Sequence, residues 1–260
     1  MPDPLPVVAS IDGDGCALFA SDIHLSEHDP LTAEFFLSAL AREARGATHV
    51  FLLGDLFEAW IGDDQQDAVV PRAEAAFTAV AATAHLFLMR GNRDFLLDAP
   101  GSPARGFSDR VGARMLDDPS RIMLFGHPTL LSHGDAWCTD DERYQQFRRQ
   151  SRDPDWQQAF VRQPVAQSQA IARQLRAQSE REKQDKAAYL MDVNATAILR
   201  AAAEQQVDTI IHGHTHRPAR HEIDADGRQV VRWVLPDWDG AARRGGFLRV
   251  TRQGWTTIDW

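Results

Sequence analysis

The sequence predicts an α/β fold carrying a helical insertion lobe, and three observations carry that prediction. The first half alternates short apolar runs with amphipathic stretches, the pattern of strands joined by crossover helices. Each apolar run delivers a Gly, Asp, Asn or His cluster at its C-terminal end, where open α/β sheets place their sites. Between residues 142 and 186 β-branched runs almost vanish, which marks helices interrupted at Pro154 and Pro164.

In chain order, residues 16–20 form a buried strand ending in Ser21-Asp22. Residues 32–45 place Phe35, Phe36, Ala39 and Leu40 at helical spacing, with Gly46 as a C-terminal cap. Residues 50–53 are a second strand running into Gly54-Asp55, and residues 68–82 a helix. Residues 85–89 form a third strand entering Gly91-Asn92, and residues 121–132 a strand pair broken near Gly126-His127-Pro128. Helix then continues over residues 187–203, a buried strand over 208–211 ends in His212-Gly213-His214-Thr215-His216, and residues 230–260 alternate like antiparallel strands closing a sheet. No internal repeat or long linker divides the chain, so residues 1–260 are expected to form one domain, with the lobe at roughly 140–190.

Composition bounds the function. With 260 residues, 43% hydrophobic and 25% charged, the chain has the make-up of a folded globular protein. Its net charge of -9 excludes a chain-wide electrostatic footprint for nucleic acid. Residues 142–186 nevertheless hold ten Lys/Arg against six acids, a basic lobe on an acidic body, which suits either an anionic ligand or a solvated helix face. Cys16 and Cys138 are too few for a disulfide framework and too far apart for a metal knuckle, which fits a reducing compartment. Residues 1–10 lack Lys and Arg, and no stretch approaches 18 uncharged apolar residues, so the expectation is a cytoplasmic chain that does not span a membrane.

The chemistry lies in five strand-end clusters: Ser21-Asp22-Ile23-His24, Gly54-Asp55, Gly91-Asn92-Arg93-Asp94, Ser132-His133-Gly134-Asp135 and His212-Gly213-His214-Thr215-His216. Asp22 with His24, and His214 with His216, are spaced i,i+2, so in extended chain both members of each pair face one side and grip one ion. Imidazole, carboxylate and amide oxygen without thiolate suit a borderline-hard divalent metal such as Mn²⁺, with Fe²⁺ or Zn²⁺ as alternatives. Seven donors exceed the needs of one ion but suit two ions sharing a carboxylate, roughly 3.5–4 Å apart. His212 is ambiguous, while His28, His49, His85, His127 and His221 lie outside the clusters.

The order D-x-H, G-D, G-N-R-D, H-G-D, G-H-T-H over residues 22–216 resembles the calcineurin-like metallophosphoesterases. The segments at residues 54–63, 91–97, 138–141, 191–194 and 212–218 resemble a narrower branch of that family, acting in lipid A synthesis. The resemblance implies a four-layer α/β/β/α sandwich and two divalent metal ions, Mn²⁺ first. One would be held by Asp22, His24, Asp55 and His216, the other by Asp55, Asn92, His133 and His214, with Asp55 bridging. It implies substrate contacts from Asn92, Arg93, Asp141, Ser179, Lys186 and His214. Lys183 departs from the branch pattern, which has Asn there: a lysine reaches phosphate as a point charge but loses the amide hydrogen bonds.

The implied substrate is a nucleotide-activated glycolipid, UDP-2,3-diacylglucosamine. Its pyrophosphate would be cleaved by a metal-activated hydroxide attacking the uridine-linked phosphorus, with Asp55, Arg93 and His24 in catalytic roles. A peripheral contact with the cytoplasmic face of the inner membrane is implied as well; no nucleic acid and no protein partner is expected. Trp156, Phe160, Val161, Val165, Ile171 and Leu175 recur at roughly helical spacing, either as core packing or as part of an acyl-chain groove or monolayer contact. The alternatives are another phosphoesterase of the family, acting on a different nucleotide diphosphate or phosphodiester, or a non-catalytic scaffold, which would tolerate missing ligands.

Overall fold

The computed structural model describes residues 3–172, 174, 192–225 and 228–260. Among these residues two six-stranded sheets face each other. The first contains β2 (Cys16–Ala20), β3 (His49–Leu53), β4 (His85–Met89) and β5 (Arg114–Leu116) in parallel, extended by the antiparallel pair β11 (Gly246–Thr251) and β12 (Gly254–Asp259) beside β2. The second runs in the order β1 (Val7–Ile11), β6 (Ser120–Leu124), β7 (His127–Leu131), β8 (Thr209–His212), β10 (Arg228–Val234), β9 (Ala219–Ala225).

Alternation along the strands builds the layers. Phe19, Phe51 and Phe87 stand in register on neighbouring strands and stack with centroids 4.8 and 4.7 Å apart, each such pair adding about 0.5–1.5 kcal/mol beyond its buried area. They point inward, with Leu53 and Met89, against Ile11, Ile122, Leu124, Leu131 and Ile211 of the second sheet. Their neighbours Leu18, Ala20, Val50, Leu52 and Leu88 point outward against helices α1 (Pro30–Glu43), α2 (Val70–Ala81) and α3 (Phe107–Val111), around Phe36, Phe77 and Phe107. On the far side of the second sheet, Leu130, Ile210 and Val230 are covered by Ile198 and Ala202 of α6 (Ala195–Gln205) and by Trp137. The stack is the expected α/β/β/α sandwich.

Helix α1 begins earlier than expected because Asp29 caps it, accepting the Thr32 N–H at 3.0 Å, while Pro30 occupies the first turn. The continuous helix expected over residues 187–203 does not form throughout: residues 192–194 are non-helical, and Asn194 caps α6 by accepting the N–H groups of Thr196 and Ala197. Residues 230–260 divide between the sheets, β10 beside β8 and the β11–β12 hairpin beside β2, instead of closing one.

The lobe opens with α4 (Glu142–Ser151) and α5 (Pro154–Val161), both capped by aspartates, Asp141 and Asp153. Phe160 and Val161 are buried and Trp156 half-buried against Phe95, so these three pack into the core, whereas Val165 is 38% exposed. Leu175 lies outside the described residues. Among the described residues no helix is long and apolar enough to cross a membrane.

Candidate metal centre

All seven donors expected from the sequence stand at the C-terminal ends of β2, β3, β4, β7 and β8, and the facing sheets bring them together. Asp22, His24 and His216 hold ligand-type atoms within 4.8 Å of one another, as do Asp22, Asp55 and His133. Asp55 offers one oxygen to each side: Oδ2 lies 4.0 Å from His24 Nε2, and Oδ1 3.6 Å from His133 Nε2. Asn92 Oδ1 lies 3.0 Å from His133 Nε2 and 2.8 Å from His214 Nδ1.

The backbone reaches this arrangement by leaving the extended conformation. Asp22, His24, Asp55, His214 and His216 all sit at φ between 51° and 67°, the left-handed region, which costs on the order of 1–2 kcal/mol per non-glycine residue. The extended-chain argument for the i,i+2 pairs therefore does not hold. Asp22 and His24 do share one subsite, but His214 turns to Asn92 and His133 while His216 turns to Asp22 and His24.

Main-chain bonds between the loops hold the strained turns: Ile23 and His24 N–H both donate to the Asp55 carbonyl, at 2.8 and 2.9 Å, and Trp238 N–H to that of Asp22. Two glycines permit the approach. A Cβ on Gly91 would stand 2.1 Å from Asp55 Oδ1, and one on Gly213 2.1 Å from Asp22 Oδ2.

The donor set fits divalent cations. Asp22 Oδ1 is buried without a hydrogen-bond partner, which would leave an anionic oxygen unsatisfied. His24 Nε2 and His216 Nε2 face each other at 3.4 Å, so two lone pairs would be opposed unless a proton or metal lies between them. Burial alone would lower the pKa of His133, yet Asp55, Asp22, Asp135 and Asp118 outweigh it and push it up to about 9. Burial also works against ionisation of Asp22, but the imidazoles of His216, His133 and His24 hold its carboxyl well below the usual range. His214 goes the opposite way to His133, its pKa lowered to about 4 by burial and then by His133.

Surrounding groups orient the cluster. Asp94 is buried and does not face the ligands; it accepts from the N–H groups of Leu56 and Gly91, both at 2.6 Å. Burial, reinforced by Asp55, raises its pKa to about 6. Asp135 accepts from Tyr144 Oη at 2.5 Å and Arg148 Nε at 2.9 Å, fastening α4 beside His133. Arg152 of the lobe donates to the Gly91 carbonyl at 2.9 Å.

His212 is a core residue. It is buried against Trp137 with Nδ1 2.8 Å from the Gly213 carbonyl, and burial and then Arg232 lower its pKa to about 3. Arg93 sits at the rim with its N–H bonded to Asp55 Oδ1 at 2.7 Å and its guanidinium 3.9 Å from Glu58. Asp141 accepts the Tyr144 N–H at 3.1 Å as the cap of α4. Ser179, Lys183 and Lys186 lie outside the described residues.

Sequence reasoning missed Glu58, 3.0 Å from His24 Nδ1, and Asp237, 3.5 Å from His216 Nδ1. Both follow apolar strands, three residues after Asp55 and in Pro236-Asp237-Trp238-Asp239 after β10, so the strand-end pattern contained a signal for each.

The family description of calcineurin-like phosphoesterases matches residues 17–218. The UDP-2,3-diacylglucosamine hydrolase of Chromobacterium violaceum is 48% identical over 88% of this chain and 92% of its own length. Proteins of the same name from Bordetella pertussis and Xanthomonas campestris pv. campestris are 43% and 44% identical, over 93% and 96% of their lengths and 92% and 91% of this chain.

Proposed function

The chain belongs to the calcineurin-like phosphoesterase family, and within it we propose that it hydrolyses the pyrophosphate bond of UDP-2,3-diacylglucosamine to UMP and 2,3-diacylglucosamine 1-phosphate, a step of lipid A synthesis. One observation carries the chemistry: seven donors of imidazole, carboxylate and amide type converge at one edge, with the buried Asp22 carboxylate in both groups able to hold an ion. The substrate comes from the relatives, whose similarity spans the lobe as well as the clusters.

Two divalent ions, Mn²⁺ by preference, suit Asp22, His24, Asp55 and His216 on one side and Asp55, Asn92, His133 and His214 on the other. When bound, such ions neutralise phosphate charge and make a water nucleophilic near neutral pH. The chain's own residues supply the rest. Asp55, with one oxygen toward each subsite, would help to hold both ions. Arg93 at the rim neutralises charge growing on the equatorial phosphate oxygens, and its main-chain bond to Asp55 keeps it in register. His24, 4.0 Å from Asp55, is the third residue given a catalytic role, through the ion it would help to hold.

Asn92, Arg93, Asp141, Ser179, Lys183, Lys186 and His214 are the proposed substrate contacts. For Asp141 this means sharing a carboxylate already used to cap α4. The leaving group is itself a phosphate, so strong acid catalysis is unnecessary. The basic lobe with its exposed Val165 supports a peripheral contact at the cytoplasmic face of the inner membrane.

Incubating the purified chain with UDP-2,3-diacylglucosamine, with chelator and then with Mn²⁺ restored, tests the proposal. UMP and the lipid phosphate should appear only with metal. An intact lipid alongside metal-dependent turnover of a generic phosphodiester would retain the centre and reject the substrate.

A further inference from the structure

The ligand-type histidines are not all steadied in the same way. His133 is fully buried, and its Nδ1 faces the Leu53 main-chain carbonyl at 3.0 Å. A main-chain carbonyl on a central strand comes with the fold. His24 and His216 are half-buried or exposed, and their Nδ1 atoms face side chains: Glu58 Oε2 at 3.0 Å and Asp237 Oδ2 at 3.5 Å. Asp237 is held in turn by Arg244, whose Nε and Nη2 donate to Oδ1 at 3.2 Å and Oδ2 at 2.6 Å. Glu58 also faces the Arg93 guanidinium at 3.9 Å.

We infer that Glu58 and Asp237 are positioning residues for the Asp22–His24–His216 subsite. Each occupies the Nδ1 side of one imidazole and leaves its Nε2 turned toward Asp22, Asp55 and the other histidine. The negative charge of a carboxylate facing Nδ1 draws the proton to that nitrogen, which leaves the Nε2 lone pair free and limits rotation of the ring. The two subsites then differ in kind. On the Asn92–His133–His214 side His133 is set by a main-chain carbonyl, whereas both histidines of the other side are set by replaceable carboxylates. Through Glu58 the orientation of His24 is also tied to that of Arg93. This inference rests on the reading of the cluster as a two-cation centre.

The test is Mn²⁺ binding to the metal-stripped full-length chain, by titration calorimetry and electron paramagnetic resonance, for wild type, Glu58→Ala, Glu58→Gln, Asp237→Ala and Asp237→Asn. Wild type should bind two ions and show a coupled pair. Each alanine variant should keep one ion at wild-type affinity and bind the other about 10–100-fold more weakly, giving an isolated-ion spectrum at one equivalent. Glu58→Gln and Asp237→Asn, whose amide oxygen still accepts the Nδ1 proton, should recover part of the loss.

Thermal melts of the metal-free proteins identify any variant that does not fold; the Glu58 pair then decides the outcome. Two sites at wild-type affinity in the alanine variants, or equal weakening of both, would overturn the inference while leaving the two-cation reading intact. A wild-type chain that binds no Mn²⁺ would overturn both.

Discussion

The two sheets contribute unlike halves of one centre. The first supplies Asp22, His24, Asp55 and Asn92, which include both acidic donors, together with Arg93; the second supplies only imidazoles, His133, His214 and His216. Neither edge could neutralise a pair of cations and complete their coordination alone. The stacked sandwich is therefore functional as well as structural: the same inter-sheet packing around Phe19, Phe51 and Phe87 sets the distance between carboxylates and imidazoles. The seam where Gly91 meets Asp55 and Gly213 meets Asp22 is where that distance is fixed.

The strongest way to break the pairing of the sheets is Asp55→Ala, which removes a carboxylate with one oxygen toward His24 and the other toward His133. Turnover of UDP-2,3-diacylglucosamine should fall roughly 10³-fold or more, about 4 kcal/mol of barrier, with the melting temperature changed by only a few degrees. Near-normal turnover would contradict a shared carboxylate.

Next comes the seam itself. In Gly213→Ala the new methyl would fall 2.1 Å from Asp22 Oδ2, so the second sheet's loop must retreat from the first. Activity should drop about 100-fold with weakened Mn²⁺ affinity, since misplacement by about 1 Å has that scale of effect.

A change where the lobe meets the second sheet should cost less activity and more stability. Arg148 bridges Asp135 at 2.9 Å and Asp118 at 3.1 Å, and Asp118 in turn accepts from Ser132 Oγ at 2.6 Å beside His133. Arg148→Met takes the bridging cation from two carboxylates that keep Tyr144 Oη, Ser132 Oγ and the more distant Arg152 beside them, and should destabilise the chain by about 3 kcal/mol in denaturant unfolding, with turnover reduced about tenfold.

The smallest effect tests the first sheet's flank away from the seam. Burial, helped by Asp98, raises the Asp63 pKa to about 6 from an ordinary 3.8, although Trp60 Nε1 and the Asp98 N–H donate to it. A carboxyl whose folded pKa is raised favours the fold below about pH 4 and loses that contribution as pH rises through about 6. Asp63→Asn should flatten the stability profile between those values by about 1–2 kcal/mol and leave turnover unchanged. A flat wild-type profile would contradict the assignment.

The same contrast between sheets explains what was legible in the sequence. β2, β3 and β4 are covered on both faces, so they stand out as unbroken apolar runs. The second sheet's edges do not: β1 is half-exposed, β9 carries Arg220, His221, Glu222 and Asp224 among its residues, and the first sheet's β5 is three residues long. Helix propensity over residues 187–203 misled because Asn194, bonded to Asp140 at 2.9 Å, caps α6 and so begins it only at Ala195.

The seven donors were legible as a group because each follows an apolar strand, and the structure brings all seven to one edge. Their division between subsites was less so, since left-handed backbone at five of them overrides the two-residue alternation of a strand. Glu58 and Asp237 escaped notice because they face the Nδ1 sides of histidines rather than the other donors of the cluster.

The most direct measurement is product analysis after hydrolysis of UDP-2,3-diacylglucosamine in water labelled with oxygen-18, with Mn²⁺ present and absent. Attack on the uridine-linked phosphorus at a two-cation centre predicts metal-dependent release of UMP carrying the label and unlabelled lipid phosphate. Label in the lipid phosphate, or release of UMP unaffected by metal removal, would contradict it.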